Sequence, residues 1–252
     1  DMPSILKSCP GYKDNLTEHS FVGSPLTWLV NEVISVLKYI SVRKADKIFC
    51  LSEQVKGEVK LLYGKSALVL RGAIDVSDIA ASLITQPKEI SKNPNILSVC
   101  RLEPKKRVDV LISAFIRSKL NGTLTIIGDG PELERLKSLA EMRSDIIFMG
   151  RVSDVQREEA LIRADCFVSM DLSDFVITVV EAMAKGKRVI VSREFDVDAI
   201  GAEIDGLMVV DANVEALTYE LDNLDSMPGP SAKNLQILSE LTWQYLATEC
   251  IK

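Results

Sequence analysis

Histidine is nearly absent: His19 stands alone in 252 residues. That scarcity excludes mechanisms built on histidine pairs and leaves no histidine-rich metal site. Aromatic residues make up only 6% of the chain, and the five cysteines (Cys9, Cys50, Cys100, Cys166, Cys250) are odd in number and widely spaced. They show neither metal-ligand spacing nor a disulfide framework, so reduced, buried thiols of a cytosolic protein are expected. Basic residues are in deficit, 30 Lys and Arg against 36 Asp and Glu, for a net charge of −6. Nucleic acid is therefore not an expected partner, because neutralising a phosphate backbone takes a basic surface. A long hydrophobic run is missing too. The most lipid-like stretch, residues 25–42, is interrupted by Asn31, Glu32 and Lys38, whereas a membrane span takes about 20 mostly apolar residues. A buried or interfacial helix is expected there. Residues 1–15 are polar and do not read as a signal peptide. The chain opens on Asp1, which suggests a cut N-terminus.

What is present reads as a soluble α/β protein. Hydrophobic residues are 47% and charged residues 26%, which rules out disorder and collagen. From residue 95 onward, short β-branched runs alternate with helical periods, the pattern of stacked βαβ units. Strands are predicted at 96–100, 124–127, 145–149, 166–168, 188–192 and 207–210, and helices at 108–118, 156–163, 178–184 and 214–221. Strands this apolar are buried on both faces, so a parallel sheet between helix layers is expected. A last helix is predicted over 232–251. The first third offers the apolar helix around Trp28, strands at 47–52 and 67–70, and a helix at 54–62, too little for an independent α/β domain. Residues 86–94, with Pro87 and Pro94, read as a linker.

In such a sheet, ligands bind beyond the carboxyl ends of the strands, against loop amides and helix N-termini. After the first strand comes Arg101-Leu102-Glu103-Pro104-Lys105-Lys106-Arg107, four cations in seven residues. They suit a phosphate or diphosphate, and equally a solvated basic turn. After the second comes Gly128-Asp129-Gly130-Pro131, which lacks the third glycine of a dinucleotide fingerprint and reads either as a ligand loop or as a simple turn. After the fourth comes Met170-Asp171-Leu172-Ser173-Asp174-Phe175-Val176, running into a helix that carries Glu181.

Taken in order, these segments resemble the C-terminal half of the retaining, nucleotide-sugar-dependent glycosyltransferases of group 1 (glycosyltransferase family 4, GT-B fold). Ala45-Asp46-Lys47-Ile48 with Ser52-Glu53 resembles the family's "AD-x-I … SE" strand, and Gly72-Ala73-Ile74-Asp75 its "NGID" turn, with Arg71 where Asn is usual. Arg101-Leu102 with Lys106 resembles "GRL-xxx-KG", Cys100 and Arg107 replacing the glycines. Gly128-Asp129-Gly130-Pro131 matches "GDGP", Gly150-Arg151-Val152 matches "GRV", Glu181-Ala182-Met183-Ala184 with Gly186 matches "EAMA-x-G", and Asp205-Gly206-Leu207 resembles "NGLLV". Thr242-Trp243 resembles the aromatic landmark of the last helix more loosely. The resemblance covers residues 45–250.

It implies an α/β architecture: a Rossmann-like parallel sheet with helices on both faces, the GT-B C-terminal domain, at 88–252, closed by a C-terminal crossover helix. Residues 1–87 would be the remnant of an incomplete N-terminal, acceptor-side domain with its linker. It implies that Arg101 and Lys106 are catalytic, neutralising the donor diphosphate and the leaving group. Glu181 would hold the ribose, the amides of Phe175, Val176 and Ile177 the β-phosphate or sugar, and the backbone at Arg151 and Val152 the base edge. Gly128, Ser173 and Asp174 complete the expected donor site, and His19 is placed on the acceptor side. Two departures stand out. Ser173 sits where the family has a second glutamate, eight residues before Glu181, with Asp171 or Asp174 as the nearest substitutes. Val176 replaces a glycine, and a β-branched side chain resists positive φ.

The expected activity is transfer of a hexose from a nucleoside-diphosphate sugar to a glycan, lipid or small-molecule acceptor, with retention and without a metal or cofactor. The alternative is a truncated or degenerate transferase half that binds a nucleotide or a partner without turnover. A sheet-binding dehydrogenase is a distant third. Expected partners are the nucleotide sugar, a membrane touched peripherally through the missing N-terminal half, and further copies meeting at the incomplete N-terminal sheet. The expected location is the cytoplasm or its membrane face.

Overall fold

The computed structural model describes residues 25–70, 72–74, 89–141, 143–173, 176–195, 197, 204–231, 234, 238 and 241–251. The chain divides into two compact units, Asp1–Leu70 and Arg71–Lys252.

In the first unit, helix α1 (Pro25–Lys44) precedes β1 (Phe49–Cys50), α2 (Glu53–Tyr63) and β2 (Leu68–Val69). The two strands pair in parallel, Phe49 with Leu68 and Cys50 with Val69, over a shorter span than the apolar runs predict. Helix α2 starts where the Ser52 hydroxyl accepts from the Val55 amide at 3.1 Å. It ends at Gly64, whose φ of 66° supplies the left-handed cap. None of the residues of α2 is buried.

The second unit alternates strands and helices: β3 (Asn95–Val99), α3 (Val108–Arg117), β4 (Thr123–Ile127), α4 (Leu133–Leu139), β5 (Ile146–Gly150), α5 (Asp154–Arg163), β6 (Cys166–Ser169), α6 (Ile177–Ala184), β7 (Arg188–Ser192), β8 (Leu207–Val210) and α7 (Val214–Asp222), then α8 (Trp243–Ile251). Its six strands are all parallel, in the order β5-β4-β3-β6-β7-β8. Successive residues face opposite layers. Leu97, Phe167, Val189 and Val191 pack toward Leu161 of α5 and Val179, Val180 and Met183 of α6. Ile96, Cys166, Val168 and Ile190 pack toward Leu111 and Phe115 of α3, Leu136 of α4 and Leu217 and Leu221 of α7. Burial on both faces explains why these strands carry continuous apolar runs. The fold is the expected α/β one, a six-stranded parallel sheet with helices on both sides.

One expected element is divided. Over 232–251 the apolar period continues, but Thr242 bridges to Ile74 and the Ile74 amide donates to the Leu241 carbonyl at 2.9 Å. A carbonyl spent on a strand-like partner cannot serve a helix turn. The final helix therefore begins at Trp243. Among the described residues, no helix is long and apolar enough to cross a membrane.

Candidate active site

The strand order reverses direction between β3 and β6, and at such a switch point the flanking loops part to leave a crevice at the carboxyl edge of the sheet. The loop leaving β3 carries Arg101 to Arg107. It closes in a single 3-10 turn, Pro104–Lys106, and hands over to α3 through Arg107, whose backbone is left-handed (φ 49°, ψ 38°). Glycine adopts that conformation freely, whereas any other residue is strained by about 1 kcal/mol. The family's glycine at this position thus has a local backbone reason. Here the arginine is kept, and its guanidinium donates to Glu194 at 2.7 Å.

The loop leaving β6 is bound to the first. The Leu172 amide donates to the Lys105 carbonyl at 2.9 Å, and the Lys106 ammonium donates to the Asp171 carboxylate. Asp171 is almost fully buried and Lys106 is mostly so. The Ser192 hydroxyl, at the end of β7, donates to the Asp171 carbonyl at 2.7 Å. Asp171 is therefore anchored through its backbone as well as through its charge. Ser173 follows, partly buried; Asp174, Phe175 and His19 lie outside the described residues.

Helix α6 begins after Val176, which has φ −125° and no side-chain cap. That is ordinary extended backbone, which a β-branched residue adopts without strain, and the valine side chain packs against the core layer on this face. Ile177, first in the helix, is half exposed. Glu181 projects from the middle of α6 and accepts from Arg157 of α5 at 2.5 Å.

The cations of the first loop are matched by carboxylates. Arg101, whose side chain is 72% exposed, donates to Glu103 at 3.0 Å, and Lys105 lies 3.7 Å from the same carboxylate. With Lys106 on Asp171 and Arg107 on Glu194, four cations face three carboxylates. Burial raises the Glu194 carboxyl, but hydrogen bonds from Arg107 and the backbone outweigh it and hold the group below its ordinary range. Burial pushes the Cys100 thiol up to about 12, with Lys106 only partly opposing, so it stays protonated and unreactive at neutral pH.

Gly128 and Gly130 have a packing role. A Cβ on Gly128 would lie 1.8 Å from the Cys100 carbonyl oxygen, and one on Gly130 2.3 Å from that of Leu102. The two loops interlock through Leu102 N to Asp129 O at 2.9 Å and Glu132 N to Leu102 O at 3.1 Å. Arg151 is exposed and Val152 half-buried just past β5, two strands from β3, or about 10 Å along the edge by ordinary strand spacing. The sheet thus gathers Arg101, Lys106, Ser173, Val176 and Ile177 on two adjoining loops, with Gly128 beside them. Glu181 lies further along the helix and Arg151 and Val152 toward the sheet edge. The counter-ions Asp171, Glu194 and Arg157 carry no local signal as such, because Lys106 and Asp171 are 65 residues apart and Arg157 and Glu181 are 24 apart. Among the described residues, no three His, Cys, Asp or Glu side chains are grouped to hold a metal.

Comparison with known proteins agrees with this fold. The profile of the glycosyl transferases group 1 matches residues 82–236. An uncharacterised glycosyltransferase of Methanocaldococcus jannaschii is 26% identical over 226 residues, covering 80% of this chain and 56% of that protein. Sucrose-phosphate synthase of Thermosynechococcus elongatus superposes with a TM-score of 0.71 at 17% identity, over 94% of this chain and 63% of the other. HepE of Anabaena, solved with UDP and glucose, gives 0.67 at 17% identity, over 86% and 65%. The chain therefore spans between half and two thirds of the length of these relatives.

Proposed function

This chain belongs to the glycosyl transferases group 1, and we propose that its second unit is the half that holds a nucleoside-diphosphate sugar for hexosyl transfer. The diphosphate sits at the switch point, its charge met by Lys106 and Arg101, while Glu181 accepts from the ribose hydroxyls. The first-turn amides of α6 face the β-phosphate, and the backbone at Arg151 and Val152 meets the base. In the reaction, the bond from the sugar C1 to the β-phosphate oxygen breaks and an acceptor oxygen bonds C1 on the same face. The hydroxyl proton leaves with the diphosphate. Cationic side chains would do the neutralising here, without a metal. The acceptor is met by parts of the protein outside this unit.

One observation carries the reading. Lys106, mostly buried, is held at the mouth of β3 by the loop that leads into the uncapped N-terminus of α6. A buried positive charge thus stands at the crevice where a parallel sheet of this order takes its ligand. The test is thermal stabilisation of the full chain by UDP, GDP and ADP, with EDTA present. One of them should raise Tm, and Lys106→Ala should remove most of the shift, since a charge-assisted contact is worth about 1.5–3 kcal/mol. No shift with any nucleotide, or an unchanged shift in Lys106→Ala, refutes the assignment.

Nucleotide binding without turnover is a second reading, favoured by the pairing of the loop cations with carboxylates and by Ser173. Donor hydrolysis or transfer by the full-length protein separates the two.

A further inference from the structure

Arg107 stands where the backbone favours glycine. Among the described residues, only Arg107 and Glu141 combine a side chain with a positive φ. At Arg107 the left-handed conformation (φ 49°, ψ 38°) joins the 3-10 turn Pro104–Lys106 to α3, and it disfavours any side chain. A strained residue persists where its surroundings hold it in place. Here the hold comes from across the sheet. The guanidinium donates at 2.7 Å to Glu194, two residues beyond the end of β7. In the sheet β6 lies between β3 and β7, so the pair joins the two loops on either side of the one that leaves β6. That middle loop is tied to both as well. Its Asp171 accepts from Lys106, its Leu172 amide donates to the Lys105 carbonyl, and its Asp171 carbonyl accepts from Ser192 of β7. Three successive residues, Lys105, Lys106 and Arg107, thus bind one loop to its two neighbours.

We propose that Arg107 is a positioning residue of the donor site, its strap to Glu194 holding the 3-10 turn so that Lys106 stays at the crevice when a diphosphate draws the ammonium from Asp171. The inference rests on the diphosphate reading above. While Lys106 is paired with Asp171, that ion pair itself fixes the turn. A phosphate that takes the ammonium loosens this tie, and the turn then keeps its place through the Lys105–Leu172 hydrogen bond and the Arg107 strap. A loop held in advance loses less freedom on binding. Simple charge would act differently. Arg107 places a positive charge near an anion site and Glu194 a negative one, so through charge alone removing Arg107 weakens nucleotide binding and removing Glu194 strengthens it. Positioning makes both removals weaken it, because either one cuts the strap.

The test measures the affinity of the full chain for UDP, GDP and ADP, together with Tm of the ligand-free protein. For a nucleotide that binds the wild type, Arg107→Gly and Glu194→Gln should each weaken binding several-fold. That is short of the loss of about tenfold or more expected from deleting the Lys106 contact itself. The double variant should lose no more than the weaker-binding single variant, the non-additivity of a shared contact. Ligand-free Arg107→Gly should melt close to the wild type, since relief of backbone strain opposes loss of a partly exposed pair. A fall in its affinity therefore reports position and not folding. Tighter binding by Glu194→Gln, unchanged affinity in both single variants, or losses that add in the double variant overturn the proposal and leave the diphosphate site standing. No binding of any nucleotide by the wild type overturns both. Should Arg107→Gly fail to fold, Glu194→Gln decides by the direction of its effect.

Discussion

The two units of the chain are written in similar apolar residues, yet they bury them very differently. In Arg71–Lys252 the strand residues Ile96, Leu97, Phe167, Val168, Val189 and Ile190 are fully buried. In the described part of Asp1–Leu70, Val33, Ile34, Val36, Leu37 and Ile40 of α1, Phe49, Leu61 and Leu68 are exposed, and Cys50, Ser52 and Ala67 are the buried side chains. The cause is the number of strands. Six parallel strands hold a layer of helices on each face, whereas the two strands among the described residues of the first unit, two residues each, have too little surface to cover a helix layer. An apolar run predicts burial only where the topology brings a second layer to it.

Core truncation should break the comparison most sharply. Phe167 is enclosed between β3, β7 and the α5–α6 layer, so Phe167→Ala should cost about 3–5 kcal/mol in denaturant unfolding. Leu61 is 76% exposed, and Leu61→Ala should stay within about 0.5 kcal/mol. Equal losses at the two positions would mean that Leu61 is covered in solution and that the first unit has a core of its own.

The same contrast can be drawn with glycines. A methyl group on Gly128 would run into the Cys100 carbonyl at 1.8 Å, on a backbone with φ 142°. Gly128→Ala should therefore cost on the order of 2–3 kcal/mol, from a strained conformation and a forced separation of the β3 and β4 loops. Gly57 lies inside α2 with nothing within 4 Å of an added Cβ. Gly57→Ala should stabilise by about 0.5–1 kcal/mol, because alanine loses less backbone entropy in a helix. Denaturation midpoints of the two variants should move in opposite directions, and movement in the same direction would sink the contrast.

Much of the second unit was legible because its signals are local. Each strand is a short, largely apolar run, and helices such as α5, with Ser153 and Gln156 forming a capping box, carry their own boundaries. The cationic loop was visible for the same reason. Its electrostatic state was not, since Asp171, Glu194 and Arg157 reach the loop or Glu181 only after the sheet has been assembled in its order. The glycines of the Gly128–Gly130 turn were ambiguous in sequence between a ligand loop and a turn, and their tight approach to Cys100 and Leu102 is a property of two loops together. Valine at 176 replaces a family glycine, and only the folded chain shows that its backbone is extended, at φ −125°. The break before α8 was hidden in the same way: nothing near Leu241 signals that Ile74 will take its carbonyl.

The smallest expected effect separates ion pairs of the two units. Lys56 and Glu53 form an exposed pair one turn apart on α2, 44% and 63% exposed, and such pairs contribute about 0.3 kcal/mol. Arg107 and Glu194 join two loops of the second unit and are less exposed, 23% and 36%. Burial pushes the Glu194 carboxyl up, but the bonds from Arg107 and the backbone prevail, and the folded pKa lies below the ordinary 4.5. A depressed carboxyl contributes stability that is fully present above its unfolded pKa and is lost as pH falls through the lower, folded value. Glu194→Gln should therefore be less stable than the wild type by a constant margin from pH 7 to about 5.5, where the unfolded carboxyl is already ionised. Discounted for solvent screening, that margin is at most about 1 kcal/mol. It should shrink below pH 4.5 and vanish once the wild-type carboxyl is protonated in both states. Urea midpoints across that range give the answer. A margin that stays flat down to pH 3 would show that Glu194 acts through its shape and not through its charge on Arg107.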